Sequence, residues 1–451
     1  MLRHLPGVMS TANSKVREDG SVKQKTHSVS RRKVLKGAVA GGLAAASVPA
    51  LFRPAIAVPE TVKIGLVGPK TGFLALFYEE MSWAIEHAKK STGNSITING
   101  TKHPLEIVAK DSQSNPNRAS SVTQELILND KVHIVTAFAT PETVNPVSDQ
   151  CELNGMPCVS NDDPLESYFF GRKGDPKKGF EWTYNFFFNG PSAIGVNLKT
   201  WARVKTNKKL GVMWANDDDG RVFEKVMPPV INGAGFTIID PGRFDLPVSD
   251  CTPEITKFKS EGAEIVFTVI PGPNFTVFWN QCAQQGFKPK VVTAGKVSEF
   301  PQGMYPFGDR AINMVTEVWW SRFHPYSSSL TKQSSAELAD AYEKETNQQA
   351  SMGLGFRHSL LEVPIAALKM TQKLDDPASI RDAVRDNAFQ TIVGPVDFKK
   401  GPFPNTSLTP LVAGQWRKSK DKRWPLQLVI VDNQLAPNIP VGGEPEAMPG
   451  S

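Results

Sequence analysis

Two short acidic runs hold the side chains best suited to meeting a ligand. Ala139-Thr140-Pro141-Glu142 follows the β-branched run 132–138, and Asn161-Asp162-Asp163-Pro164 follows the shorter apolar run 157–160. A hydroxyl such as that of Thr140 can donate to a carboxylate. The acids can accept from an ammonium, amide or hydroxyl. A buried carboxylate without such a partner takes up a proton instead. Pro141 has no N–H to offer an anion. Three more polar groups follow apolar runs later in the chain: Asn216, Asn274 and Lys296. Lys296 suits an anionic ligand, or the two acidic runs if it reaches across a cleft. Its plainer reading is a solvated lysine. Phe73, Phe77 and Tyr78 follow the first apolar run and would line a cleft or pack in a core. Asp217-Asp218-Asp219-Gly220 invites a calcium site, but adjacent carboxylates cannot all face one ion and no EF-hand spacing follows. A capped helix start is the better reading.

Other chemistry lacks its motifs. The chain has no G-x-S-x-G or H-E-x-x-H, and its histidines have no adjacent nucleophile motif. The loop Gly68-Pro69-Lys70-Thr71-Gly72 has neither the Walker lysine spacing nor the dinucleotide glycine pattern. No enzyme activity, cofactor or metal is expected. Cys151, Cys158, Cys251 and Cys282 form no C-x-x-C pair. Cys151 and Cys158, at a helix end and the next strand start, could bridge; two buried thiols fit equally well.

These residues are held by a repeating grammar of apolar run, loop and amphipathic helix. The series 62–67, 105–109, 132–138 and 157–160 is followed by a second series, 209–214, 235–239, 263–270 and 290–293. Alternation of this kind predicts parallel sheets covered by helices, with ligand loops beyond the strands' carboxyl ends. The aromatic run 181–189 (EWTYNFFFN) separates the two series. Residues 169–179 read as a surface loop, and 76–89, 143–153, 335–346, 356–372 and 377–387 as helices. Runs 392–398, 411–416 and 426–431 read as short antiparallel strands, and the Pro/Gly-rich tail beyond Leu435 as poorly ordered.

The net charge of +6 over 451 residues has a local origin. Residues 1–57 hold ten of the 51 Lys/Arg and two of the 45 Asp/Glu, which leaves 41 bases against 43 acids. No basic patch signals a nucleic-acid partner. Arg31-Arg32 precedes the weakly apolar stretch 37–51, and Ala55-Ile56-Ala57 supplies a small-x-small cleavage pattern. This leader resembles a twin-arginine export signal, with Val34 where that signal usually has Phe. It implies a periplasmic protein.

Six stretches in order carry a wider resemblance: VKIGLVGPKTG at 62–72, DSQSNPNRASSVTQELILNDKV at 111–132, NGMPCVSN at 154–161, WANDDDGR at 214–221, GAEIVFTV at 262–269 and TIVGPVDF at 391–398. Together they resemble the type I periplasmic solute-binding proteins of ABC transporters, in the branched-chain amino acid, amide and urea branch. The resemblance implies an α/β fold of two Rossmann-like lobes joined by three crossovers, with a solute trapped between them by hinge closure. It places the amino-terminal lobe at 58–184 and 319–391, the other at 185–318 and 392–436, and a tail at 437–451. The crossovers are expected near 182–189, 318–320 and 392–395. The implied partners are a small organic solute of amino acid, amide or aromatic type and an inner-membrane ABC permease, and the implied state is a monomer; a sensor with a signalling partner is the alternative. Amino-acid binders of this family hold the ligand carboxylate with Ser or Thr after the strands ending near 138 and 160. This chain has Thr140-Pro141-Glu142 and Asn161-Asp162-Asp163 there, so ordinary branched-chain amino acids are expected to bind poorly.

Overall fold

Residues Val62–Gly68 are almost wholly buried, as a strand covered by helices on both faces must be. They form β1 in the computed structural model, which describes residues 59–451. The export signal expected at 1–57 lies outside the described residues. β2 (Ser95–Ile98), β3 (Thr101–Asp111), β4 (Ile134–Ala137), β5 (Cys158–Ser160) and β6 (Thr183–Phe187) follow β1 in the first sheet. β7 (Lys209–Met213), β8 (Thr237–Ile239), β9 (Ile265–Val269), β10 (Val291–Gly295) and β11 (Val315–Val318) build the second. β12 (Phe389–Thr391) and β13 (Gly394–Val396) form a separate hairpin. β14 (Thr406–Leu408) then returns to the first sheet, while β15 (Val412–Lys418) and β16 (Leu426–Asp432) complete the second.

The sheet orders are β14-β6-β5-β4-β1-β3-β2 and β16-β15-β11-β10-β9-β7-β8. Their cores are parallel; β2 runs against β3, and β15 and β16 are antiparallel additions. Each sheet reverses its order of addition beside its first strand, between β1 and β4 in one and between β7 and β9 in the other. Such switch points open crevices at the strands' carboxyl ends, which is where the site must form.

Several local expectations are corrected. Pro141 and Glu142 are not loop but the first turn of the helix Pro141–Asn154, since proline's fixed φ suits the first helical position and its missing N–H costs nothing there. The surface loop expected at 169–179 begins inside the helix Leu165–Gly171, whose Tyr168 and Phe169 are fully buried. The third crossover between the sheets lies between β14 and β15, not at 392–395. There Gly394, at φ 106°, turns the chain back on itself into the β12–β13 hairpin. The tail packs instead of fraying: Ile439 and Met448 are buried, and the N–H of Met448 donates to the Lys290 carbonyl at 2.8 Å. All four cysteines are buried free thiols.

Candidate functional site

The two crevices face one another. The loops after β4, β5 and β6 meet those after β10 and β11 around a cavity of about 40 Å³. One buried water needs roughly 10–15 Å³, so the space holds only a few. The first sheet and its loops contribute Phe77, Thr140, Asp162, Pro164, Phe187 and Phe188 to the wall. The second contributes Phe267, Val269, Gly295, Lys296, Glu299, Glu317 and Trp319, and the helix Asp218–Gly233 adds Asp219, Phe223 and Met227. The wall is thus apolar and aromatic, broken by four carboxyls and one ammonium.

The charges are organised by pairs. The helix Gly353–Met370 is buried over most of its length and carries Arg357, whose side chain is fully buried with that of Asp162 in an ion pair. The Arg357 Nε–H also donates to the Phe77 carbonyl at 2.7 Å, and the guanidinium lies 4.4 Å from the Phe138 ring centre. Burial lifts the Asp162 carboxyl to about 6 although Arg357 opposes the rise. Asp162 Oδ1 has no hydrogen-bond partner among the described residues.

On the facing side, Lys296 Nζ lies 2.8 Å from Asp219 and 3.3 Å from Asp217. Burial alone would lower its pKa, but Asp217, Asp219 and Glu142 outweigh it and hold the ammonium well above the usual lysine range. Burial raises Asp219, against the pull of Lys296. Asp217 caps the helix Asp218–Gly233 by accepting from the Gly220 N–H at 2.7 Å. Ser167 Oγ donates to Asp219 Oδ1 at 2.8 Å, a bond that ties the helix Leu165–Gly171 beside the first sheet to the helix Asp218–Gly233 beside the second. Among the described residues, Glu299 and Glu317 have no ion-pair partner. Burial, with Glu317 and Asp162 nearby, pushes Glu299 up to about 8. Burial likewise raises Glu317. Each uses one oxygen, Glu299 accepting from the Lys296 N–H at 3.0 Å and Glu317 from the Asn197 amide.

The structure brings Phe77, Thr140, Asp162 and Lys296 together on the wall. Glu142 stands just behind, bonded by the Thr140 hydroxyl; burial lifts its carboxyl to about 7, with Lys296 opposing and Asp217 and Asp219 adding to the rise. Ala139 and Pro141 flank Thr140 without lining the cavity. Ala139, Thr140, Asp162 and Lys296 all take positive φ, between 56° and 69°. Non-glycine residues held there carry roughly 1–3 kcal/mol of strain each, a pattern that gathers at ligand sites.

The other expected residues are elsewhere. Phe73 is 42% exposed and off the wall, and Tyr78 packs against Phe138. Asn161 is fully buried and donates to the Phe356 carbonyl at 2.9 Å. Asp163 is buried off the wall, its carboxyl without a hydrogen-bond partner among the described residues, and burial raises its pKa well above the usual range. Asn216 is exposed and donates to Asp245 at 2.8 Å; Asn274 accepts from the Val248 N–H at 2.8 Å and braces a loop. Lys296 does not reach across to the acidic runs for its partner, because Asp217 and Asp219 on its own side are nearer. The residues missed are Arg357, Asp219, Glu299, Glu317, Trp319 and the pair Phe187-Phe188. A charged residue inside the apolar stretch GLGFRHSLLEVPIAALKM was the available signal for Arg357.

Residues 61–420 match the family model described as "Periplasmic binding protein". Among curated proteins, the chain is 23% identical over 281 residues to a Leu/Ile/Val-binding protein homolog of Brucella melitensis. That alignment covers 59% of this chain and 66% of the relative, so the chain spans just under two thirds of the relative's length. Among solved structures, it is similar to an ABC-transporter solute-binding protein from Rhodopseudomonas palustris in complex with 3,4-dihydroxybenzoic acid, with TM-score 0.64, 19% identity and coverage of 86% of this chain and 99% of that one. A leucine-binding protein from Thermotoga maritima superposes with TM-score 0.68 at 16% identity, covering 83% and 99% of the two chains.

Proposed function

Because the chain belongs to the periplasmic binding protein family, a family of solute-binding proteins and not of enzymes, we propose that it is the solute-capturing component of an ABC importer. It takes a small organic solute between its two lobes and presents it, as a monomer, to an inner-membrane permease. Residues 1–57 act as a cleaved twin-arginine signal. The lobes hinge where the chain leaves one sheet for the other, after β6, after β11 and after β14. The observation that carries this reading is the cavity itself, which lies at the carboxyl ends of both sheets, with Asp219 of its wall bonded to Ser167 on the first sheet's side.

The solute is not a branched-chain amino acid. The Thr140 hydroxyl is directed to Glu142, and the Thr140 N–H donates to the Asp162 carbonyl at 3.1 Å. Pro141 has no N–H, so the helix Pro141–Asn154 offers a ligand carboxylate a poor seat. A thermal-shift screen over amino acids, amides, ureas, amines and aromatic acids tests the reading, because a ligand that binds only the folded state raises the melting temperature. At least one small solute is expected to do so. Failure of every class would refute solute capture. Leucine or valine bound more tightly than about −8 kcal/mol in calorimetry would refute the account of the anion seat.

A further inference from the structure

The four carboxyls on the cavity wall have unequal company. Asp162 has Arg357 and Asp219 has Lys296, while Glu299 and Glu317 have amide donors and no cation. Each of these two glutamates is more than nine-tenths buried, and each has one oxygen with no protein donor among the described residues. Asp162, 2% exposed, adds a third unpartnered oxygen on the same wall. The two glutamates thus bring two acceptor atoms without a donor to the wall of one small enclosure, with the unpartnered Asp162 oxygen buried beside them. The rest of the wall is largely apolar and rich in rings: Phe77, Phe187, Phe188, Phe223, Phe267 and Trp319. Aromatic faces attract cations through their quadrupoles, by about 2 kcal/mol or more when water is excluded. A carboxylate ligand would find Arg357 and Lys296 already paired with Asp162 and Asp219, and the Thr140 hydroxyl already directed to Glu142.

From this juxtaposition of cation-free buried carboxylates and aromatic faces in one cavity, we infer that the solute is an organic ammonium cation with a compact apolar body and no carboxylate. The inference rests on the solute-capture reading and names the class of solute. Glu299 and Glu317 supply the counter-charge, and the rings cover the body. In the unliganded protein Glu299 keeps a proton near neutrality, with Glu317 and Asp162 facing it and Lys296 beside it. An arriving ammonium takes that proton's place, so binding near pH 7 releases protons to the buffer.

The experiment is titration calorimetry on the mature protein with probes that share a body and differ in charge. 2-Phenylethylamine, 2-phenylethanol and 3-phenylpropionate form one set; choline and tetramethylammonium test whether the cation is methylated instead. The expected result is that one of the ammonium sources binds at least tenfold more tightly than the alcohol and the carboxylate. Its heat should vary with buffer ionisation enthalpy as proton release requires. Glu299→Gln and Glu317→Gln keep the shape of the wall and should each weaken that probe about tenfold or more, with no comparable loss for the alcohol. If the carboxylate or the alcohol binds as tightly as every ammonium probe, the inference is overturned while solute capture stands. If no ammonium probe binds but an amide, sugar or aromatic acid from the wider screen does, the outcome is the same. If no solute of any class binds, both readings fall.

Discussion

Arg357→Met tests how the first sheet's half of the site is held. The Arg357 and Asp162 side chains are fully buried together, and the guanidinium also donates to the Phe77 carbonyl at 2.7 Å. Methionine keeps much of the aliphatic stem and removes the charge and both hydrogen bonds. Removing one partner of a buried pair costs about 3–5 kcal/mol, because the other charge stays buried without compensation. Here the cost depends on pH. Asp162 sits at about 6 with Arg357 present, against an ordinary 3.8, and Glu80 nearby opposes its ionisation. Without Arg357 its folded pKa rises further. At about pH 5 Asp162 is already largely protonated in the fold, so the loss is that of the two hydrogen bonds. At about pH 8 the unfolded chain has released that proton and the folded variant resists doing so, so the loss grows as pH rises. Denaturant unfolding at both pH values measures it. Adding Asp162→Leu removes the stranded acid and should restore most of the stability, since apolar replacement of a buried pair is often neutral or better. A single-variant loss below about 1 kcal/mol at both pH values would refute the burial argument.

Two further outcomes follow from single contacts. Ser167→Ala deletes the hydroxyl donor to Asp219 at 2.8 Å, a bond between the two halves. A hydrogen bond to an ionised partner contributes about 1.5–3 kcal/mol, so the closed form should lose roughly tenfold or more in population; small-angle scattering of the unliganded variant should give a larger radius of gyration, and an unchanged radius would show that the bond does not latch the halves. Glu299→Gln concerns stability against pH. Glu299 is at about 8 in the fold against an ordinary 4.5, so between those values the native state binds a proton that the unfolded chain has released, and stability falls as pH rises through that window. The variant should therefore melt about 2 °C or more above the parent near pH 8 and close to it near pH 5; equal melting curves at both pH values would contradict the raised pKa.

The sheets were legible because their strands announce themselves locally. Runs such as 62–67 and 263–270 are apolar, β-branched and bounded by glycine, and their place in an alternating series fixes a parallel sheet whatever lies around them. Switch-point geometry then located Thr140, Asp162 and Lys296. The β12–β13 hairpin and the anchored tail were not legible, since each depends on a tertiary event: Gly394 reversing the chain, and Met448 reaching Lys290. Arg357, Glu317 and the pair Phe187-Phe188 were missed for a related reason. They lie inside or just beyond buried elements, where side-chain type reads as core, and only tertiary packing sets Glu317, Phe187 and Phe188 on the cavity wall and Arg357 behind it against Asp162. Asn216 and Asn274 erred the other way: the loops stand in ligand-binding places, but Asp245 and the Val248 N–H claim these side chains first.

The pairing of charges bears directly on closure. Arg357 and Asp162 both belong with the first sheet, and Lys296, Asp217 and Asp219 with the second. Each ion pair is therefore complete before the halves meet, and bringing them together strands neither Arg357 nor Lys296. Had Lys296 been the only partner of the acidic runs across the cleft, the open form would have left those acids without a cation, and closure without a solute would have satisfied them. An empty, tightly closed protein would then compete with the loaded one. As built, the carboxyls on the cavity wall without an ion-pair partner among the described residues are Glu299 and Glu317. Closing over an empty cavity requires that these two keep protons in a buried site; closing over a solute that satisfies them does not. On the solute-capture proposal, a preference for a loaded closed state would rest on these two wall carboxyls, whose counter-charge the solute would supply.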